Sequence, residues 1–178
     1  MIFSAINASN VTATDDNTEP INLLLMAELE NLEELRLKSL TGNLVIDNFT
    51  QSLCEFAQLK SASLTKLALV SIKSLEMEHL SSVTQFQLLD HLELGNCDKF
   101  EPQDLFESIT QLPLLKYLRL ECGRFNEHLS NLGELEYLRE LELINFEMEP
   151  GFGQGLTSLQ NIQKLLLIPN YSEEVMTV

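Results

Sequence analysis

Residue types that could carry catalysis or hold a metal ion are few and scattered in this chain. Histidine and cysteine occur three times each. They are His79, His91, His128, Cys54, Cys97 and Cys122. The cysteines lack the CxxC spacing of zinc or redox sites, and no glycine-rich phosphate loop or nucleophile beside a base forms a recognisable motif. The sequence therefore predicts no enzyme, no cofactor and no metal site, and it predicts free thiols.

Acidic residues gather near the starts of predicted helices. They are Glu76, Glu78, Asp98, Glu101, Asp104, Glu107, Glu147 and Glu149. Carboxylates are favoured there by the positive end of the helix dipole, so we interpret them as solvated helix-start residues. Asp98, Glu101 and Asp104 lack the spacing and the glycine of an EF-hand calcium loop.

Composition and charge restrict the partner. With 178 residues, 44% of them hydrophobic, the chain can form one domain with its own core. The 27 acids and 11 bases leave a net charge of -16, which argues against nucleic acid or an anionic membrane as the partner. No secretory signal or spanning segment is recognisable, so we expect an intracellular protein, cytoplasmic or nuclear. Export stays open, since sequons occur at Asn7, Asn10, Asn48 and Asn170.

A motif Leu-x-x-Leu-x-Leu recurs along the chain. Its copies begin at Leu32, Leu64, Leu89, Leu115 and Leu138, with a sixth at Ile162. The middle leucines, at positions 35, 67, 92, 118, 141 and 165, are 32, 25, 26, 23 and 24 residues apart. Alternating leucines predict half-buried strands, and such periods are typical of leucine-rich repeats.

Segments with helical spacing separate these strands. In 101–112, Leu105, Ile109 and Leu112 recur at steps of three and four, and 47–59 is similar. Segments 76–86 and 126–136 are weaker, and 149–160 should begin irregularly because of its glycines. Each repeat is thus a strand, a turn and a helix. We predict an α/β leucine-rich-repeat solenoid of about six repeats, with a parallel concave sheet and helices on the convex side.

The repeats resemble those of the ribonuclease-inhibitor type, particularly the irregular repeats of F-box substrate receptors, which often read LxLxxC or LxLxxN. The stretch LELGNC from Leu92 to Cys97 matches, whereas Cys122 and Asn145 each come one residue early. In this comparison Cys97 occupies the position that turns the chain. The resemblance implies the substrate-recognition part of an F-box-type ubiquitin ligase adaptor, although the F-box motif itself is absent from the sequence.

The repeats predict three parts of the chain: an N-terminal segment 1–20 that forms a partial repeat, a repeat domain 21–170 and a tail 171–178. Residues 1–7 are predicted as a strand and 11–19 as an exposed loop. A helix is expected within 21–32, with an apolar face at Ile21, Leu24, Leu25, Leu29 and Leu32. Because no helix follows the sixth strand, we expect a fragment of a longer solenoid or an end capped by a partner.

Strand alternation defines a candidate binding face. If the leucines point into the core, the eighteen positions beside them face the concave side. These positions carry five of the 11 bases and five of the 27 acids, so this face is nearly neutral. The predicted protein-binding residues are Arg36, Lys38, Lys66, His91, Glu93, Tyr117, Arg119, Glu142, Ile144, Leu166 and Ile168. The alternative is that the charges, such as Glu93, Arg119 and Glu142, only pair with one another on neighbouring strands.

The sequence as a whole predicts a non-enzymatic protein–protein interaction module. Two alternatives remain. In one, the acidic outer surfaces capture a basic protein such as a histone or a cationic ribonuclease. In the other, the chain is a structural module that self-associates through its C-terminal edge.

Overall fold

The sheet of this protein is parallel and follows the order of the repeats. The computed structural model describes residues 20–39 and 44–170, and the backbone of 10–13. Its strands are β1 (Asn10–Ala13), β2 (Glu34–Lys38), β3 (Lys66–Val70), β4 (His91–Leu94), β5 (Tyr117–Glu121), β6 (Arg124–Phe125), β7 (Glu140–Met148) and β8 (Lys164–Pro169). Within the described part, seven of them form one sheet in the order β1-β2-β3-β4-β5-β7-β8, and the short β6 pairs with the end of β7.

The predicted repeat register is confirmed. Leu35 pairs with Leu67, and the pairing continues through the equivalent leucine of every later strand to Leu165. The leucines from 35 to 141 in this row are fully buried. The motif thus places one leucine of each repeat above the next in a continuous core.

Short helices connect the strands. They are α1 (Leu23–Ala27), α2 (Phe49–Lys60), α3 (Met77–Val83), α4 (Pro102–Ile109) and α5 (Phe152–Thr157), with 3-10 helices at Cys97–Lys99 and Glu127–Glu134. The helix α4 begins with proline and has Asp104 in its first turn, both favoured there. Gly151, at φ 87°, precedes α5, which fits the irregular start expected there.

The N-terminal region differs from the sequence interpretation. The strand β1 includes Val11, where a loop is predicted, while the predicted strand 1–7 lies outside the described residues. Ile21 and Leu32 are buried as predicted, but the helix α1 buries Leu23 and Met26 and exposes Leu25, so the predicted apolar face is wrong within the helix. The reason is that Ile21 forms a bridge with Ile46 and the helix begins only after Asn22, whose Oδ1 accepts a hydrogen bond from the amide of Leu24 at 2.9 Å.

Phenylalanine rings connect the later repeats. Phe106, Phe125, Phe146 and Phe152 are all buried. Successive rings in this series have centroids 5.8, 5.5 and 5.3 Å apart. Aromatic contacts at such distances add to the area that the rings bury, so the repeats that contain Phe106, Phe125 and Phe146 are anchored to one another.

In four of the motifs, the second residue after the last leucine has a left-handed backbone conformation. These residues are Ser71, Asn96, Cys122 and Asn145, with φ between 51° and 58°. Asn96 donates from Nδ2 to the carbonyl of Ile72, one repeat earlier, at 3.0 Å. The residue that turns the chain is therefore Asn96 rather than Cys97, which is buried and begins a 3-10 helix. Burial raises the pKa of the Cys97 thiol, so this cysteine packs as an apolar residue.

Candidate protein-binding face

Glu93 is the centre of a charge cluster on the concave face. Its side chain is only 5% exposed. It accepts hydrogen bonds from Arg36 Nη1 at 2.6 Å and from Lys38 Nζ at 2.7 Å. His91 Nε2 lies 3.1 Å from the carboxylate oxygen that Arg36 contacts. The expectation that Glu93 faces solvent is thus corrected: it is buried beneath its partners.

A small residue makes this cluster possible. Arg36, Ala68 and Glu93 lie in register on β2, β3 and β4. Ala68 has only a methyl group and is fully buried. The guanidinium of Arg36 therefore passes over β3 to reach a carboxylate two strands away, and a long side chain at position 68 would block this path.

The cations lower the pKa of the enclosed carboxylates. Burial alone would raise the pKa of Glu93, but hydrogen bonds from His91 and Lys38 and the charges of Lys38 and Arg36 outweigh it and lower the pKa to about 2. Hydrogen bonding by Arg36 also lowers the pKa of Glu34. Lys66 Nζ lies 3.7 Å from the other oxygen of Glu34, which extends the cluster to the exposed rim.

Arg119 forms a second charged group on β5 and β7. It contacts Glu121 at 2.6 Å and Glu142 at 3.2 Å. The predicted cross-strand pair of Arg119 and Glu142 is thus present. Glu93, by contrast, pairs with Arg36 and Lys38 of β2 rather than with Arg119 of β5. The alternative of mutually paired charges describes this part of the face well.

Two aromatic rings join the charged groups. His91 and Tyr117 stack with centroids 4.0 Å apart and planes 7° from parallel. Burial raises the pKa of Tyr117, and a hydrogen bond with Glu142 raises it further. The stack therefore lies between Glu93, which His91 contacts, and Glu142, whose charge acts on Tyr117.

Apolar side chains occupy the C-terminal end of the concave face. Ile144 is half-buried, while Leu166 and Ile168 are 42% and 47% exposed. Leu166 is in register with Glu142, and Ile168 with Ile144. The eleven predicted residues thus lie on one face of the sheet, which is charged near β2 and apolar at β8.

A polar pocket that sequence reasoning missed lies beside the left-handed turns. Its volume is about 180 Å³. The pocket is lined by Asp98, Cys122, Gly123, Arg124, Asn145, Glu147 and Asn170. The recurrence of Cys122 and Asn145 after their strands is the signal that could have indicated it. Across the described ranges, His, Cys, Asp and Glu form no group of three that could hold a metal ion, and no helix is long and apolar enough to cross a membrane.

Comparisons with known proteins support the fold. No family model and no curated protein matches the chain. Among solved structures, internalin C2 from Listeria monocytogenes is similar, with a TM-score of 0.51 and 19% sequence identity. The likeness covers 89% of this chain and 80% of that chain. Together with the parallel sheet and its register, it shows an α/β leucine-rich-repeat solenoid.

Proposed function

We propose that this chain is a non-enzymatic module that binds another protein through its concave face. The observation that carries the proposal is the apolar end of that face, where Ile144, Leu166 and Ile168 continue from the stacked His91 and Tyr117. Aromatic and aliphatic side chains at the centre of an interface provide most of its binding energy.

The charged part of the face would orient the partner. Arg36, Lys38 and Arg119 are held by carboxylates before any partner arrives. Long side chains that are already ordered lose less conformational entropy on binding. The face therefore combines an apolar anchor with a rigid pattern of charge.

The cellular setting that we propose is substrate recognition in an F-box-type ubiquitin ligase adaptor, inside the cell. The support is the resemblance of the repeats, above all the stretch from Leu92 to Cys97. On this proposal the F-box belongs to another part of the protein or to a partner, and the bound protein is the substrate.

The test is partner capture with a variant of the concave face. Tyr117→Ala combined with Ile144→Asp should reduce capture of the wild-type partners from native cells about tenfold or more, because it removes the central anchors. The matched control combines Tyr137→Ala with Leu88→Asp, two residues that are exposed outside the eighteen concave positions. Mass spectrometry of the captured proteins identifies the partners. Equal capture by the variant and the wild type would contradict the concave site.

A second candidate function uses the acidic outer surfaces. Of the 27 acids, 22 lie outside the eighteen concave positions. On this alternative the partner is a basic protein, and its affinity falls steeply between low and physiological salt because the attraction is screened. The concave variant would then bind like the wild type, which separates the two candidates in one experiment.

A further inference from the structure

The strand β8 is an apolar sheet edge. It pairs with β7 on one side, and no strand of the described residues pairs with its other side. Leu165, Leu166 and Ile168 are 48%, 42% and 47% exposed. An exposed hydrophobic edge of this kind is a template for pairing with another chain.

Both faces of β8 are apolar. Leu165 is in register with the buried Leu141 and so lies on the core side of the sheet. Leu166 and Ile168 lie on the concave side, opposite Glu142 and Ile144. Three partly buried residues that precede this strand also pack against the core: Leu156, Leu159 and Ile162. They extend the apolar surface at this end of the sheet.

The same end is almost free of charge. Residues 150–170 contain one charged side chain, Lys164, and its Nζ donates to Glu140 at 2.7 Å. The whole chain has a net charge of -16. Two copies that approach through their acidic surfaces therefore repel each other more strongly than two copies that approach through β8.

We propose that two copies of this chain pair through their β8 strands, antiparallel about a two-fold axis perpendicular to the sheet. Such an axis keeps each face of the sheet on its own side. Leu166 and Ile168 then meet their counterparts on the concave side, and Leu165 and Leu167 meet theirs on the core side. The edge is therefore complementary to itself, as a closed two-fold interface requires. This inference does not rest on the proposed function.

Light scattering during size-exclusion chromatography measures the oligomeric state. The wild-type chain should have the mass of two chains at concentrations of about 10–100 μM, and Leu166→Lys with Ile168→Lys should have the mass of one, because charges on an edge strand prevent pairing. The matched control, Leu88→Lys with Leu114→Lys, adds the same charge at residues that are 41% and 38% exposed and should stay dimeric. Circular dichroism and melting verify that each variant folds. If the lysine variant does not fold, Leu166→Thr with Ile168→Thr should weaken the dimer at least tenfold.

A mixing experiment separates the two-fold dimer from a head-to-tail assembly through β8 and β1. In a two-fold dimer, the folded lysine variant has no competent edge and cannot bind tagged wild-type chain. In a head-to-tail assembly its β1 edge is intact and binds the β8 edge of the wild type. Binding in this mixture would overturn the proposal, and so would a wild-type chain that is monomeric throughout the concentration range. Leu166 and Ile168 also belong to the concave face, so the dimer is tested by the mass of the purified chain alone, without another protein. A failure here is therefore distinct from a failure of partner capture, which Tyr117→Ala with Ile144→Asp tests.

Discussion

Glu93 stays ionised because cations surround it. Arg36 and Lys38 occupy both oxygens of its carboxylate, and both cations are about one-third exposed, so solvent weakens each interaction. Together they outweigh the cost of burying the charge, as the lowered pKa shows. The cluster is thus a set of interdependent groups rather than three separate surface pairs.

Glu93→Gln should lower the free energy of unfolding by about 1–3 kcal/mol at neutral pH, because it leaves Arg36 and Lys38 without their shared anion. The pKa of Glu93 is about 2 in the folded chain against an ordinary value of 4.5. The stabilisation is therefore complete above about pH 4.5 and is lost as the pH falls towards 2. Urea unfolding of both proteins across this range measures the difference, and a difference independent of pH would contradict the assignment.

Substitutions of Leu120 and Arg119, which are adjacent in β5, should differ greatly in their effect on stability. Leu120 is fully buried, so Leu120→Asp should destabilise the domain by several kcal/mol, about enough to unfold it, by burying an unpaired charge. Arg119 is 31% exposed, and Arg119→Ala should cost about 1 kcal/mol or less. Circular dichroism and melting temperatures compare the two. A native melting curve for Leu120→Asp would refute the strand register.

Among the elements, the turn after β4 packs closely on the preceding repeat. A Cβ atom added at Gly95 would lie 2.7 Å from the Ser71 amide nitrogen and 3.1 Å from the Val70 Cα. These are backbone atoms of the preceding repeat, so they cannot move aside easily. The absence of a side chain at Gly95 sets how closely these two repeats approach.

Gly95→Ala should therefore destabilise the chain by about 1–3 kcal/mol, the usual cost of overpacking. Gly153→Ala is the matched control, since a Cβ atom at this helical position meets nothing within 4 Å. It should be neutral or stabilising by up to about 1 kcal/mol. Thermal unfolding of both variants provides the measurement, and equal effects would show that the repeats are less tightly packed than described.

The strands of this fold are predictable from the sequence because each leucine motif has an alternating pattern that only a half-buried strand explains. The first repeat lacks that signal: β1, with the sequence NVTA, contains no leucine, and α1 has five residues. On the concave face, alternation identifies the side on which Arg36 and Glu93 lie. It does not reveal that Arg36 crosses a strand, because that depends on the length of one side chain and the smallness of Ala68.

At the scale of the whole molecule, charge is divided between surfaces. The concave positions are balanced, the end at 150–170 has a single charge, and the remaining surface contains most of the acids. Electrostatic repulsion between copies leaves the concave face and the β8 edge as the surfaces where close contact is least opposed. A dimer through β8 would place the two concave faces side by side.

The bond between Arg36 and Glu93 also affects how the molecule opens. In a stack of repeats each unit interacts mainly with its immediate neighbours, so the ends can fray one unit at a time. This bond joins residues 57 positions apart, on strands separated by β3, and so couples next-nearest neighbours. We expect the amide protons of β2, β3 and β4 to exchange with deuterium as one cooperative unit. In Glu93→Gln the exchange of β2 should become faster than that of β4, while the exchange of β7 should not change.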